Sequence, residues 1–483
     1  MPVVSAVASG ESYDLILVGT GFASTFFLHR YLQQASAATR VLVLERGALH
    51  EHRWQVQHAA ELERESAQSF QNRTPKKPWI FRVAVGGSSN CWWACTPRML
   101  PEDFELATRY GVGRDWPVTY DQLEYYYGEA EALMSVSGAS DGSPAPRSRP
   151  FPLPPHRFTD PDRLLKRHFP DEFFPQPTAR PSRATATRKR CCASGICEAC
   201  PIDSKFTILN TLRHLYEDDP RVTLLTGARV DRVDVVNGVA TGVRYATGSG
   251  ERVARGALVG LGANAIFNPT ILLRSGLTAG PVGIGLMEQV SAVADIDLDG
   301  VENFQGSTSI TGLGYMLYSG RNRGVKAAAI MESWNVPRLR PERGKWRQFL
   351  SLKFIFEALP RPENRVLVDT SDAVRPVVTY DDHGPTTERG LVDLEADLAR
   401  VLAALPVERF TVGRTSQNTE AHVLGTTTMG HNPSESVVDG ALVHHRVRNL
   451  LVLGGSVFPT AAPANPTLTI AALSLRAADQ LLA

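Results

Sequence analysis

Cysteine is scarce, with 6 in 483 residues, too few for a disulfide-stapled scaffold. Neither sign of charge dominates: 51 Lys and Arg stand against 50 Asp and Glu, a formal net charge of +1. A dedicated nucleic-acid binder would carry a basic surplus, so no nucleic-acid partner is expected. Long hydrophobic runs are interrupted. The stretch 257–273 contains Asn264, Asn268 and Pro269, and 449–475 is broken by Pro459, Pro463 and Pro466, so neither suits a bilayer span. Residues 1–13 have neither the basic nor the apolar region of a secretory signal. The expectation is a soluble cytoplasmic protein, with export alongside a partner subunit as the alternative. What remains is an ordinary core-forming composition, 43% hydrophobic and 21% charged. At ~150 residues per domain, the length suggests about three domains or two large ones.

The run 13–19 (YDLILVG) is apolar and ends in glycine, as a buried parallel strand does. Residues 22–34 have helical length and composition, and 40–45 (RVLVLE) form a second strand, completing a βαβ unit. The stretch 135–181 is crowded with Pro, Ser and Gly and reads as loop or linker. Residues 203–216 look helical, and 222–236, 242–245 and 257–261 read as strands returning to the first sheet. Between 290 and 380, VSAVADIDL, VKAAAIMES, FLSLKFIFEAL, NRVLVD and RPVVTY suggest an antiparallel sheet of a second domain. An amphipathic helix is expected over 388–404, a strand over 449–453, and a final helix from about Pro466.

Gly19-Thr-Gly21-Phe-Ala-Ser24 thus stands between a strand and a helix, as a dinucleotide fingerprint does. Gly19 permits the tight turn, Gly21 lets backbone approach a pyrophosphate, and Ser24 is small enough for close helix–strand packing. Glu45, closing the second strand, is placed to bind ribose hydroxyls. The fingerprint alone does not separate NAD from FAD.

Three further blocks occur in order: GGSSNCWWACTPRMLPEDF over 86–104, GANAIFNPTILLRSG over 262–276, and HVLGTTTMG over 422–430 continuing to SVFPTAAPANPTLTIAALS over 456–474. With them the chain resembles the glucose–methanol–choline (GMC) family of FAD-dependent alcohol oxidoreductases, in motif nearest its pyranose oxidases and bacterial sugar or glycoside oxidoreductases. The resemblance is strong at both ends and vague through 110–215 and 290–400. It implies an α/β chain, α+β overall. An FAD-binding Rossmann-like three-layer domain would comprise 1–110, 205–290 and 415–483. A substrate domain on an antiparallel sheet would comprise 111–204 and 291–414.

The resemblance also implies residue roles. Gly86, Gly87, Ser88, Ser89 and Asn90 form a donor-rich turn for flavin or pyrophosphate. Val230 meets adenine through its backbone. Gly455 and Ser456 form the last cofactor turn, where the family often has an acidic residue. Asn465, Pro466 and Thr467 start a helix whose positive end faces the flavin, with Asn as cap and Pro at the first position. His422 is the expected base and Asn465 its partner on the substrate hydroxyl, with hydride passing to flavin N5. The expected substrate is a sugar, glycoside or polyol; a sterol or aliphatic alcohol oxidase is the alternative, and a non-catalytic flavin- or metal-binding subunit is the alternative of another class. Oxygen, a quinone or a cytochrome would take the electrons.

Cys191, Cys192, Cys197 and Cys200, followed by Pro201, have the spacing of an iron–sulfur or zinc site, with structural thiols or a local disulfide as the bland alternatives. Cys91 stands where pyranose oxidases bond a histidine covalently to flavin. It is either a cysteinyl link or a buried thiol, with non-covalent FAD as the default.

Overall fold

The computed structural model describes residues 3–4, 11–336, 338–414 and 419–482. Its larger sheet has eight strands drawn from the beginning, middle and end of the chain. Across the sheet they run Val3–Val4, Val222–Leu225, Val41–Leu44, Ser12–Val18, Gly250–Leu261, Val239–Thr247 and Arg229–Val236, with Leu450–Val452 also paired to Gly250–Leu261. The central strands are parallel, and Val41–Leu44 is buried at every position, which explains its uninterrupted apolar sequence. The two strands 229–236 and 239–247 add an antiparallel flap. Helix Phe22–Gln34 packs on the carboxy-terminal helix Thr467–Leu482, which packs in turn on Tyr120–Met134.

The second sheet has six antiparallel strands in the order Val407–Arg414, Val290–Leu298, Phe349–Phe356, Ala329–Trp334, Ile310–Gly314 and Phe173–Pro175. One face presents Ala292, Ala294, Leu350, Leu352 and Phe354 to Leu394, Leu398 and Val401 of helix Pro385–Leu402. By strand alternation the opposite face carries Ser291, Glu332, Trp334 and Lys353, with Glu332 directly opposite Lys353. The architecture is therefore the expected α/β sheet domain joined to an antiparallel one.

Several local expectations are corrected. The runs around 365–367 and 377–379 leave the six-stranded sheet and form a separate small sheet with Gln71–Asn72. The Pro-rich stretch 135–181 contains a helix, Asp160–His168, started by a Thr159/Asp162 capping box, and the edge strand Phe173–Pro175. The helical expectation over 203–216 reduces to two single turns, Ile208–Thr211 and His214–Glu217. Among the described residues no helix is long and apolar enough to cross a membrane.

Candidate active site

Strand Ser12–Val18 leads into Gly19, whose φ of +88° suits glycine. A Cβ there would stand 2.6 Å from the Gly262 carbonyl oxygen, so the turn also needs the missing side chain for space. Thr20 then ties three segments together. Its amide and hydroxyl both donate to Glu45 Oε2, at 3.0 and 2.6 Å, and its hydroxyl accepts from the Gly86 amide at 3.0 Å. Gly47 donates to Glu45 Oε1 at 2.7 Å, and burial pushes the Glu45 carboxyl up despite these bonds.

Around this junction lies a cavity. Of the residues expected at a dinucleotide, Gly19, Gly21, Glu45, Gly87, Ser88, Val230 and Gly455 line it. Arg46, Arg82 and Arg229 line it too, and burial together with Arg229 pulls Arg46 down to about 10. A cleft floored by glycine backbone, with a carboxylate and three guanidinium groups on its walls, fits a dinucleotide: backbone and cations for the diphosphate, Glu45 for ribose.

The other expected cofactor residues serve the frame around the cavity. Ser24 donates to the Val18 carbonyl at 3.0 Å. Gly86, with φ +88°, donates its amide to the Thr20 hydroxyl. Ser89 donates to the Gly86 carbonyl at 2.6 Å and receives the Ile208 amide at 3.1 Å, and Asn90 donates to the Val85 carbonyl at 2.9 Å. Ser456 accepts from Asn268 at 2.9 Å. Pro466 and Thr467 open the final helix, whose Ile470 reaches the cavity.

His422 is not among the residues that line this cavity, and it precedes a segment tied to the cavity's last turn. Its segment runs beside the last glycine turn: the Gly425 amide donates to the Gly455 carbonyl at 3.0 Å and Thr427 to Ser456 at 2.9 Å. The imidazole is half-buried, and burial outweighs the neighbouring Glu420 carboxylate to pull it down to about 4. Its Nδ1 lies 3.1 Å from Gln289 Oε1. Gln289 Nε2 donates to the carbonyls of Ala462 and Ala464, at 2.8 and 3.1 Å. One buried glutamine thus joins His422 to the residue immediately before Asn465. Asn465 is buried, and its Oδ1 finds no hydrogen-bond partner among the described residues. A buried acceptor without a partner is a position where a bound group can complete the bonding.

Sequence reasoning missed Thr20, Gln289 and Asn268. Asn268 donates to both the Leu453 carbonyl and Ser456, and accepts from the Ala263 amide, so it clasps two cavity turns. The block GANAIFNPT contained that signal.

The four cysteines expected as metal ligands are corrected by their surroundings. Among the described residues no group of three or more His, Cys, Asp or Glu is placed to hold a metal ion. Cys192 is exposed. Cys191 meets Thr308 Oγ1 at 3.5 Å, Cys197 meets Ser309 Oγ at 3.3 Å and Cys200 accepts from the Ser204 amide at 3.3 Å. Cys191 and Cys197 lie near the Arg180 guanidinium, while Cys192 is exposed and Cys200 bonds Ser204, and the four form no ligand set among the described residues. Cys91 is a half-buried free thiol whose sulfur lies 3.7 Å from the Ser88 carbonyl oxygen.

Residues 360–474 match the GMC oxidoreductase family model. The fructose dehydrogenase large subunit of Gluconobacter japonicus is 27% identical over 98% of this chain and 98% of its own. The 2-methyl-1,2-propanediol dehydrogenase of Mycolicibacterium austroafricanum is 26% identical over 98% and 96%. The paromamine 6'-oxidase of Streptomyces fradiae is 26% identical over 83% and 78%. In fold, the chain is similar to the pyridoxine 4-oxidase of Mesorbium loti (TM-score 0.67, 18% identity, 97% of this chain and 99% of that one). It is likewise similar to the formate oxidase of Aspergillus oryzae RIB40 (TM-score 0.70, 14% identity, 98% and 99%). By these relatives the chain is an oxidoreductase similar to GMC-type dehydrogenases and oxidases, and the GMC oxidoreductase model matches its residues 360–474.

Proposed function

We propose that this chain binds FAD in the cleft beginning at Gly19–Gly21 and oxidises a hydroxyl group of a sugar, glycoside or polyol. The observation that carries the proposal is the convergence of His422 and the Asn465 segment, joined by Gln289, beside the Gly455 turn of the cleft. The full-length relatives support the substrate class, being named for fructose and a propanediol; the paromamine oxidase agrees.

Gly19, Gly21, Gly87 and Gly455 would hold the cofactor by close backbone approach, Arg46, Arg82 and Arg229 would face its diphosphate, and Glu45 its ribose. Bound there, FAD supplies the hydride acceptor. The chain's own residues handle the proton. His422 is neutral at neutral pH because burial lowers its affinity for protons, so it is ready to accept one from the substrate hydroxyl. The Asn465 amide N–H₂ would donate to the same oxygen and hold it in place, and alkoxide character on it is stabilised by that donor and by the imidazolium that forms.

The test is anaerobic bleaching of the flavin band against a carbohydrate and polyol panel, followed by reoxidation with oxygen, a quinone or a cytochrome. His422→Ala is expected to retain FAD and lose about 10²–10⁴-fold in the bleaching rate. Retention of more than about a tenth of the rate would remove His422 as the base. No bleaching with any alcohol would leave a flavin-binding module without this activity.

A further inference from the structure

The hydrogen-bond chemistry around Gln289 determines more than a contact. Gln289 is completely buried. Its Nε2 faces the Ala462 and Ala464 carbonyl oxygens, which can only accept, so that end of the amide must be the donor. Its other end, Oε1, must therefore be the atom that faces His422 Nδ1. An amide oxygen only accepts, so the imidazole must place its hydrogen on Nδ1. In the neutral ring Nε2 then carries the free lone pair.

The residue beside Gln289 grips the same histidine by its backbone. Glu288 Oε1 accepts from the His422 amide at 2.9 Å, the Glu420 amide at 3.0 Å and the Thr419 hydroxyl at 2.8 Å. Met287 pairs with Leu424, its amide donating to the Leu424 carbonyl at 3.0 Å. Residues 287–289 thus run along the histidine segment and hold both its backbone and its ring, while Gln289 also reaches the Ala462 and Ala464 carbonyls that lead into Asn465.

We infer that Gln289 is a positioning residue for the proposed alcohol oxidation: it sets His422 in the Nδ1–H tautomer, leaving Nε2 as the proton acceptor, and it fixes the spacing between His422 and Asn465. The inference rests on His422 being the base. Two carbonyl groups decide the orientation of the glutamine, and the glutamine decides the tautomer of the histidine.

The test combines a spectroscopic readout with kinetics. Protein labelled with ¹⁵N-histidine is observed by NMR at pH 7, with His422→Gln used to identify the His422 signals by difference. In the wild-type chain Nδ1 should resonate as a protonated, pyrrole-like nitrogen and Nε2 as a bare, pyridine-like one; the reverse assignment would overturn the inference without any need of a variant. In Gln289→Met the signals should move to a mixture of tautomers, and an unchanged spectrum would overturn the inference too. With FAD bound, Gln289→Met should lower kcat for flavin reduction by about 10²-fold, the cost of a misplaced reacting group, with KM little changed. Wild-type kcat in Gln289→Met alongside an inactive His422→Ala would reject the role of Gln289 alone. Substantial activity in His422→Ala would reject the base assignment itself, a distinguishable result.

Discussion

Glu288 and Lys77 form an ion pair with side chains 0% and 2% exposed. Lys77 Nζ also lies 4.1 Å from the centre of the Trp79 ring and 5.6 Å from that of Tyr380, while the carboxylate accepts the three donors of the His422 segment. Glu288→Gln keeps an oxygen for those donors but turns an amide N–H₂ toward the lysine ammonium. That leaves a buried cation unpaired, which costs about 3–5 kcal/mol. Lys77→Met is expected to cost less, about 2–3 kcal/mol, since the stranded carboxylate keeps three hydrogen bonds. The double variant removes both charges and leaves Met against the Trp79 and Tyr380 rings. It should be more stable than Glu288→Gln alone, so the two costs should fail to add by about 2 kcal/mol or more. Equilibrium urea unfolding by circular dichroism, with the denaturant slope unchanged, measures each variant. Strict additivity would show that the pair is not what holds these charges inside, and the argument would fail.

Acid sensitivity follows from three histidines. Burial pulls His156, His422 and His444 each from 6.5 to about 4. The unfolded chain therefore binds more protons between those values, and stability is lost as pH falls from about 6.5 to about 4, by up to about 3 kcal/mol per histidine. A melting temperature that stays flat across that window would contradict it. Gly19→Ala forces an alanine to a φ of +88° with its Cβ 2.6 Å from the Gly262 oxygen. Strain and overpacking together should cost about 2–5 kcal/mol and deplete bound FAD; full flavin content and an unchanged melt would refute the claimed fit.

The parts legible in the sequence were those written over short distances. The strand–glycine–helix start was readable because strand burial, turn and helix are each local: helix Phe22–Gln34 and strand Val290–Leu298 lie where the apolar pattern puts them. Helix Asp160–His168 was obscured because prolines around it outweigh its Thr159/Asp162 cap in composition, though the cap decides the conformation. The cysteine spacing misled for the opposite reason. Spacing reports contour length, whereas ligation needs the sulfurs aimed at one point, and with Cys192 exposed the described residues hold no such group.

Sequence alone determined the residue chemistry of the site: a glycine turn able to approach an anion, an imidazole, and a carboxamide at a helix start. It also carried, in His422 and Asn465, the pair expected to handle a hydroxyl. Tertiary structure decided how these groups meet. Thr20 joins Glu45 to Gly86, Asn268 clasps the last two turns, and Gln289 aligns the histidine. Each of these polar side chains is buried where water cannot bond it, so its partners must come from segments remote in sequence, and only the packed chain brings those segments together.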